Sequence, residues 1–140
     1  MAKSKNQASM TYSEKRMKSR DCVLSAIHYQ ESEQIPVDFG GHRSSGISAI
    51  AYAKLKKALG VNTGDIYVYD IPQQLAIVEQ EVLERLGIDT IELGRGFLLE
   101  KKDWKEWRLS DGTPCKIPYY VNVKTEGEDT YVLSDDGVKL

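Results

Sequence analysis

Residues 35–47, IPVDFGGHRSSGI, constrain the fold more tightly than any other part of the chain. An apolar run broken only by Asp38 gives way to Gly40-Gly41, and a cluster of polar and cationic residues then leads into an apolar-periodic segment. The grammar is that of a short buried strand, a glycine turn and a capped helix start. In α/β proteins ligands gather where strands end and helices begin, so this turn is the first place to look for chemistry.

The rest of the chain repeats the pattern once. Residues 13–29 have helical spacing through Met17, Cys22, Val23, Ala26 and Ile27. Residues 46–59 place Ile47, Ile50, Ala51, Leu55, Ala58 and Leu59 on one helical face, with Ser44 or Ser45 as N-cap and Gly60 as the C-terminal stop. Asp70 followed by Gln73 resembles a capping box for a third helix, with Pro72 in its first turn. Leu75, Val78, Val82, Leu83 and Leu86 continue that helix to Gly87. Residues 88–93 then form a second short strand ending in Gly94-Arg95-Gly96. Such alternation predicts a parallel α/β fold.

After Phe97 the pattern turns antiparallel. Two β-like runs flank Asp111-Gly112, a favoured two-residue hairpin turn, and Pro114 and Pro118 suggest an exposed edge. Residues 130–133 and the turn Ser134 to Gly137 begin another hairpin, whose return holds only Val138, Lys139 and Leu140. Two parallel-type strands cannot close a barrel or cover both faces of a parallel sheet. The expectation is therefore an N-terminal fragment of a larger α/β protein. Residues 1–15 are expected to be a disordered basic tail, residues 16–140 the fragment itself, and residues 100–140 its inserted hairpin region.

Charge narrows the function. The chain carries 19 Lys and Arg against 21 Asp and Glu. Six of the basic residues fall within residues 1–20, which leaves an acidic body and argues against nucleic acid as a partner. No apolar run reaches membrane-spanning length and no secretory h-region is present, so no membrane partner is expected. Cys22 and Cys115 form no paired motif, which fits a reducing cytoplasm.

Several side chains are candidates for chemistry. Gly40 and Gly41 bring backbone N–H groups close to a ligand, and Arg43 adds a planar cation suited to carboxylate or phosphate. Alternatively the turn is only sharp, with its serines capping and Arg43 solvated. Asp38 is either an acid–base group or a partner of Arg43 or of the turn. His42 is a candidate acid, base or metal ligand, or simply a turn residue. Arg95 and Glu92 would face the same mouth if both strands belong to one barrel. His28, His42, Cys22 and Cys115 lack zinc-site spacing, so no metal is expected in this fragment. Trp104, Trp107, Tyr119 and Tyr120 either stack on a flat ligand or pack a hairpin onto the core.

Three segments in order, residues 19–60, 69–96 and 104–118, resemble the N-terminal region of the uroporphyrinogen decarboxylase family, and more narrowly the branch with cobalamin-dependent methyltransferases. The resemblance implies a (β/α)8 TIM barrel more than twice this length, incomplete here and interrupted by a β-hairpin insertion. It implies that Arg43 sits in the turn where true decarboxylases bind substrate carboxylates. Those enzymes carry a catalytic aspartate after the second strand, where this chain has Leu93-Gly94-Arg95-Gly96. The departure favours corrinoid-linked methyl transfer over uroporphyrinogen decarboxylation, with a non-catalytic tetrapyrrole- or corrinoid-binding relative as the other reading. For the full-length protein the resemblance implies zinc, with ligands in later strands. Its implied partners are an anionic or tetrapyrrole-like small molecule, a corrinoid protein and a second copy of the chain.

Overall fold

The computed structural model describes residues 17–93, 100–127, 129–134 and 136–139. Their elements are α1 (Ser19–Ile27), α2 (Ala49–Leu59), β1 (Val68–Asp70), β2 (Leu75–Ala76), α3 (Gln80–Leu86), β3 (Trp104–Arg108), β4 (Pro114–Pro118), β5 (Asn122–Glu126) and β6 (Asp129–Leu133). A 3-10 turn spans Arg43–Ser45 and another Lys101–Asp103. The expected tail, residues 1–15, lies outside the described residues.

The architecture is α/β in the broad sense, but its strands pair as antiparallel hairpins: β1 with β2, β3 with β4, and β5 with β6. Among the described residues the one parallel bridge joins Tyr67 to Lys116, where the Lys116 N–H donates to the Ile66 carbonyl at 2.7 Å. That bridge lays the approach to β1 along β4. Pro114 and Pro118 therefore mark the two ends of β4 and not a free edge, because Lys116 between them pairs on both sides.

The core gathers Ala49 and Tyr52 from α2, Val61 and Ile66 from the following loop, Val68, Ala76 and Val82, and Leu109, Cys115 and Ile117 from the β3–β4 hairpin. The expected α2 stripe is rotated. Ala51 and Ala58 face solvent, while Tyr52 and Lys56 are buried. Ser48, not Ser44 or Ser45, caps the helix by accepting the Ala51 N–H, and Gly60 ends it in the left-handed region at φ 68°.

Four expected elements differ. Residues 35–39 form no strand, the chain bends at Phe39, and Ile35 is 84% exposed. Their backbone is tied to Asp89 from both sides: the Asp89 N–H donates to the Val37 carbonyl at 2.9 Å, and the Val37 N–H donates to Asp89 Oδ2 at 2.9 Å. Residues 88–93 likewise form no strand. The third helix is confined to Gln80–Leu86, because Leu75 and Ala76 pair with β1 instead. A reversal at Gln74, φ 52°, turns the chain back, and Ala76 then donates to Ile47 and Ile77 to Tyr67. Of the expected first helix, residues 13–16 lie outside the described residues, and among the rest α1 spans only Ser19–Ile27.

The hairpin expected around Asp111-Gly112 is present, with a longer loop than two residues. Pairing runs to Arg108 opposite Pro114, Leu109 donates to Thr113, and Gly112 takes φ 83°. A type I turn closed by a left-handed glycine has this form. The return after Ser134 is also present as a single bridge between Leu133 and Lys139, with the Ser134 N–H donating to Val138.

Candidate functional site

The turn after residue 39 is closed by its own backbone. Gly40 donates to the Ser45 carbonyl at 2.9 Å, Gly41 to Asp38 Oδ1 at 3.0 Å, and His42 to Ser45 Oγ at 3.2 Å. Ser44 N–H donates to His42 Nδ1 at 3.2 Å, Ser45 to the His42 carbonyl and Gly46 to the Arg43 carbonyl. The N–H groups that the sequence offers to an anion are thus already committed within the turn. At the start of α2, Ala49 donates to the Gln74 carbonyl and Ala51 to Ser48 Oγ.

Gly40 and Gly41 are accordingly conformational. Gly40 takes φ 82°, and a Cβ there would lie 2.9 Å from Val78 Cγ2. A Cβ on Gly41 would meet the Asp38 carboxylate and lie 2.9 Å from Thr90 Oγ1. His42 is exposed and acts as the cap of the 3-10 turn. Asp38 is exposed and does not pair with Arg43. It accepts from Gly41 and from the Thr90 hydroxyl. The hydroxyls of Ser45 and Thr90 hold its carboxyl below the usual aspartate range. That is opposite to the burial-raised acid the sequence allowed.

What the turn leaves for a ligand is the Arg43 side chain. Its Nε lies 3.3 Å from Asp70 Oδ2, with 64% of the arginine side chain exposed and only 4% of the aspartate. Asp70 also accepts from the Gln73 N–H at 3.0 Å, so the carboxylate is fixed by β1 and by its own turn. A guanidinium has five N–H donors, and a pair through Nε leaves the Nη edge for another anion. Sequence reasoning placed Asp70 as a helix cap and missed this pairing. The signal available to it was a lone carboxylate closing an apolar strand.

Arg43 and Asp70 stand at a cleft of about 610 Å³. Its walls include Trp107, Leu109 and Ile117 from the β3–β4 hairpin, Tyr120 from the link to β5, and Val132 from β6. The structure therefore brings Arg43 together with two of the four aromatic residues singled out, Trp107 and Tyr120. Trp104 packs edge-on against Tyr67 with ring centroids 4.8 Å apart, and Tyr119 lies under Lys105. Arg95, with Gly94 and Gly96, lies outside the described residues. Glu92 is exposed at the end of its segment and His28 is exposed at the end of α1.

Both cysteines are buried. The Cys22 thiol donates to the Gln34 carbonyl, and burial, then the charges of Glu106 and Asp111, push the Cys115 thiol up to about 11. Among the described residues no three His, Cys, Asp or Glu side chains come together to hold a metal ion. No described helix is long and apolar enough to cross a membrane. Comparison of the chain with family models, with curated proteins and with solved structures finds no match.

Proposed function

We propose that the chain is the N-terminal part of a uroporphyrinogen decarboxylase-like (β/α)8 barrel protein in which Arg43 binds an anionic group of a small-molecule ligand. The observation that carries this reading is the exposed guanidinium at the mouth of an apolar and aromatic cleft, oriented by a buried carboxylate. Asp70 holds the plane of the cation, and the ligand's anion meets the opposite edge. Residues 35–38 and 89–90 support the barrel. Val37 meets Asp89 and Asp38 meets Thr90, so residue numbers rise together as they do between parallel neighbours.

The reaction class we propose is corrinoid-linked methyl transfer, because Leu93-Gly94-Arg95-Gly96 supplies no carboxylate where a decarboxylase needs one. The described residues do not fit a zinc ion, so no step is assigned to one. Its partners would be an acidic or tetrapyrrole-like small molecule and a corrinoid protein. The test uses the polypeptide that carries this sequence. One arm supplies methylcobalamin and a thiol, the other uroporphyrinogen. Methylated thiol without release of carbon dioxide is the expected result. Release of carbon dioxide from uroporphyrinogen would reverse the choice of chemistry, and the absence of both activities would remove the family reading.

A further inference from the structure

We infer that the cleft beside Arg43 takes an amphipathic monoanion, a flat apolar body carrying one carboxylate or similar group, in preference to a polyanion. This deepens the reading of Arg43 as an anion-binding residue and rests on it. Arg43 is the only cation lining the cleft among the described residues, and Asp70 the only anion. Their pairing already offsets much of the positive charge. A ligand with several carboxylates would bring charges that no other lining cation meets, and each would be desolvated against apolar walls. One anionic group can share the guanidinium with Asp70 through the remaining edge.

The walls specify the rest of the molecule. Val68, Leu109, Ile117 and Val132 are aliphatic, and Trp107 and Tyr120 supply ring faces. Aromatic side chains of this kind favour planar apolar partners. A volume of about 610 Å³ falls within the range of small-molecule sites and holds a bicyclic acid with room to spare.

The experiment titrates 2-naphthoate, neutral 2-naphthol and citrate into the intact chain, read by calorimetry and by quenching of Trp107 fluorescence. Binding of 2-naphthoate with quenching is expected. Arg43→Ala should weaken it roughly tenfold to a hundredfold, the loss of a charge-assisted hydrogen bond. Trp107→Leu should weaken it and abolish the quench, 2-naphthol should bind about as weakly as naphthoate binds the alanine variant, and citrate should not compete. Arg43→Lys keeps a partner for buried Asp70 and should still weaken naphthoate, because an ammonium lacks the planar second edge. Citrate binding that is tighter than naphthoate and depends on Arg43 would overturn the monoanion and leave Arg43 as an anion site. Naphthoate affinity indifferent to both Arg43 variants would overturn both. No naphthoate binding at all would overturn the inference.

Discussion

Lys56 and Tyr52 lie one helical turn apart on α2, and both point inward. The Lys56 ammonium pairs with Glu79 and donates to the Thr63 carbonyl at 2.5 Å, with only 7% of its side chain exposed. Tyr52 donates to Glu79 Oε2 at 3.1 Å and accepts the Glu79 N–H at 2.8 Å. Burial drives the Tyr52 hydroxyl well above the usual tyrosine range. Removing Lys56 leaves the Glu79 carboxylate, 26% exposed, with the Tyr52 hydroxyl, so Lys56→Ala should cost about 3 kcal/mol in urea unfolding, the low end for a broken buried pair. Tyr52→Phe, which strands only the Glu79 N–H and one carboxylate contact, should cost about 1–3 kcal/mol. Glu81→Ala removes the exposed pair with Arg85 and should cost less than about 1 kcal/mol. The apolar stripe read from the sequence missed this network because periodicity counts Ala and Leu and ignores the buried stems of Tyr and Lys. Asp38 makes a prediction of the opposite kind. Its folded pKa is lowered, so its contribution to the turn is complete above the unfolded value near 4 and is lost as pH falls through the folded value. Amide signals of Gly41 and Thr90 followed by NMR should shift together in that acid window, and Asp38→Asn should flatten the response.

The helix-forming segments and the hairpins yield different lessons. α2 was legible because its stop glycine and apolar content agree, while its start was not. Residues 43–48 contain three serines, and each can cap something. Ser44 and Ser45 serve the 3-10 turn, and Ser48 serves α2. Ser48→Ala should therefore cost about 1 kcal/mol in helix stability, and Ser44→Ala should stay within about 0.5 kcal/mol. Equal losses from the two would return the cap to the earlier position. The third helix was over-read for a related reason. Leu75, Val78 and Val82 satisfy a helical period, but a two-residue apolar run such as Leu75-Ala76 satisfies a strand as well. Pairing with β1, set by the reversal at Gln74, decided the matter, and no local pattern contains it. The β3–β4 hairpin was legible because turn chemistry is local, as at Asp111-Gly112. Arg43 was legible as an exposed cation in a glycine turn, but its partner Asp70 is 27 positions away and the walls from Trp107 to Val132 are farther still.

Across the whole molecule, the two halves of the chain meet along Tyr67 and Lys116. Lys116 Nζ lies 2.7 Å from Asp65 and 3.3 Å from Glu106, and its backbone bridges to Tyr67 in the segment that leads into β1. Beneath that bridge, Ile117 and Cys115 from the hairpin pack with Tyr52, Val68 and Val82 from the helical half. Nothing in the composition or periodicity identifies this seam, since it joins segments about fifty residues apart. It makes one core out of two regions that the sequence suggested were separate. Ile117, 2% exposed, is its apolar centre. Ile117→Ala should cost about 2–5 kcal/mol, the range for deleting buried methyl groups where the surroundings cannot collapse. Because the cluster spans both halves, helix content by far-UV circular dichroism and tryptophan emission from Trp104 and Trp107 should lose signal at the same lower urea concentration. Ile35→Ala, on an exposed segment outside any strand, should shift neither midpoint by more than about 0.5 kcal/mol. If the tryptophan transition moved while the helical one stayed, the hairpins would be an independent unit. The Arg43 cleft, which draws walls from both halves, would then have no common frame to hold its cation against its aromatic faces.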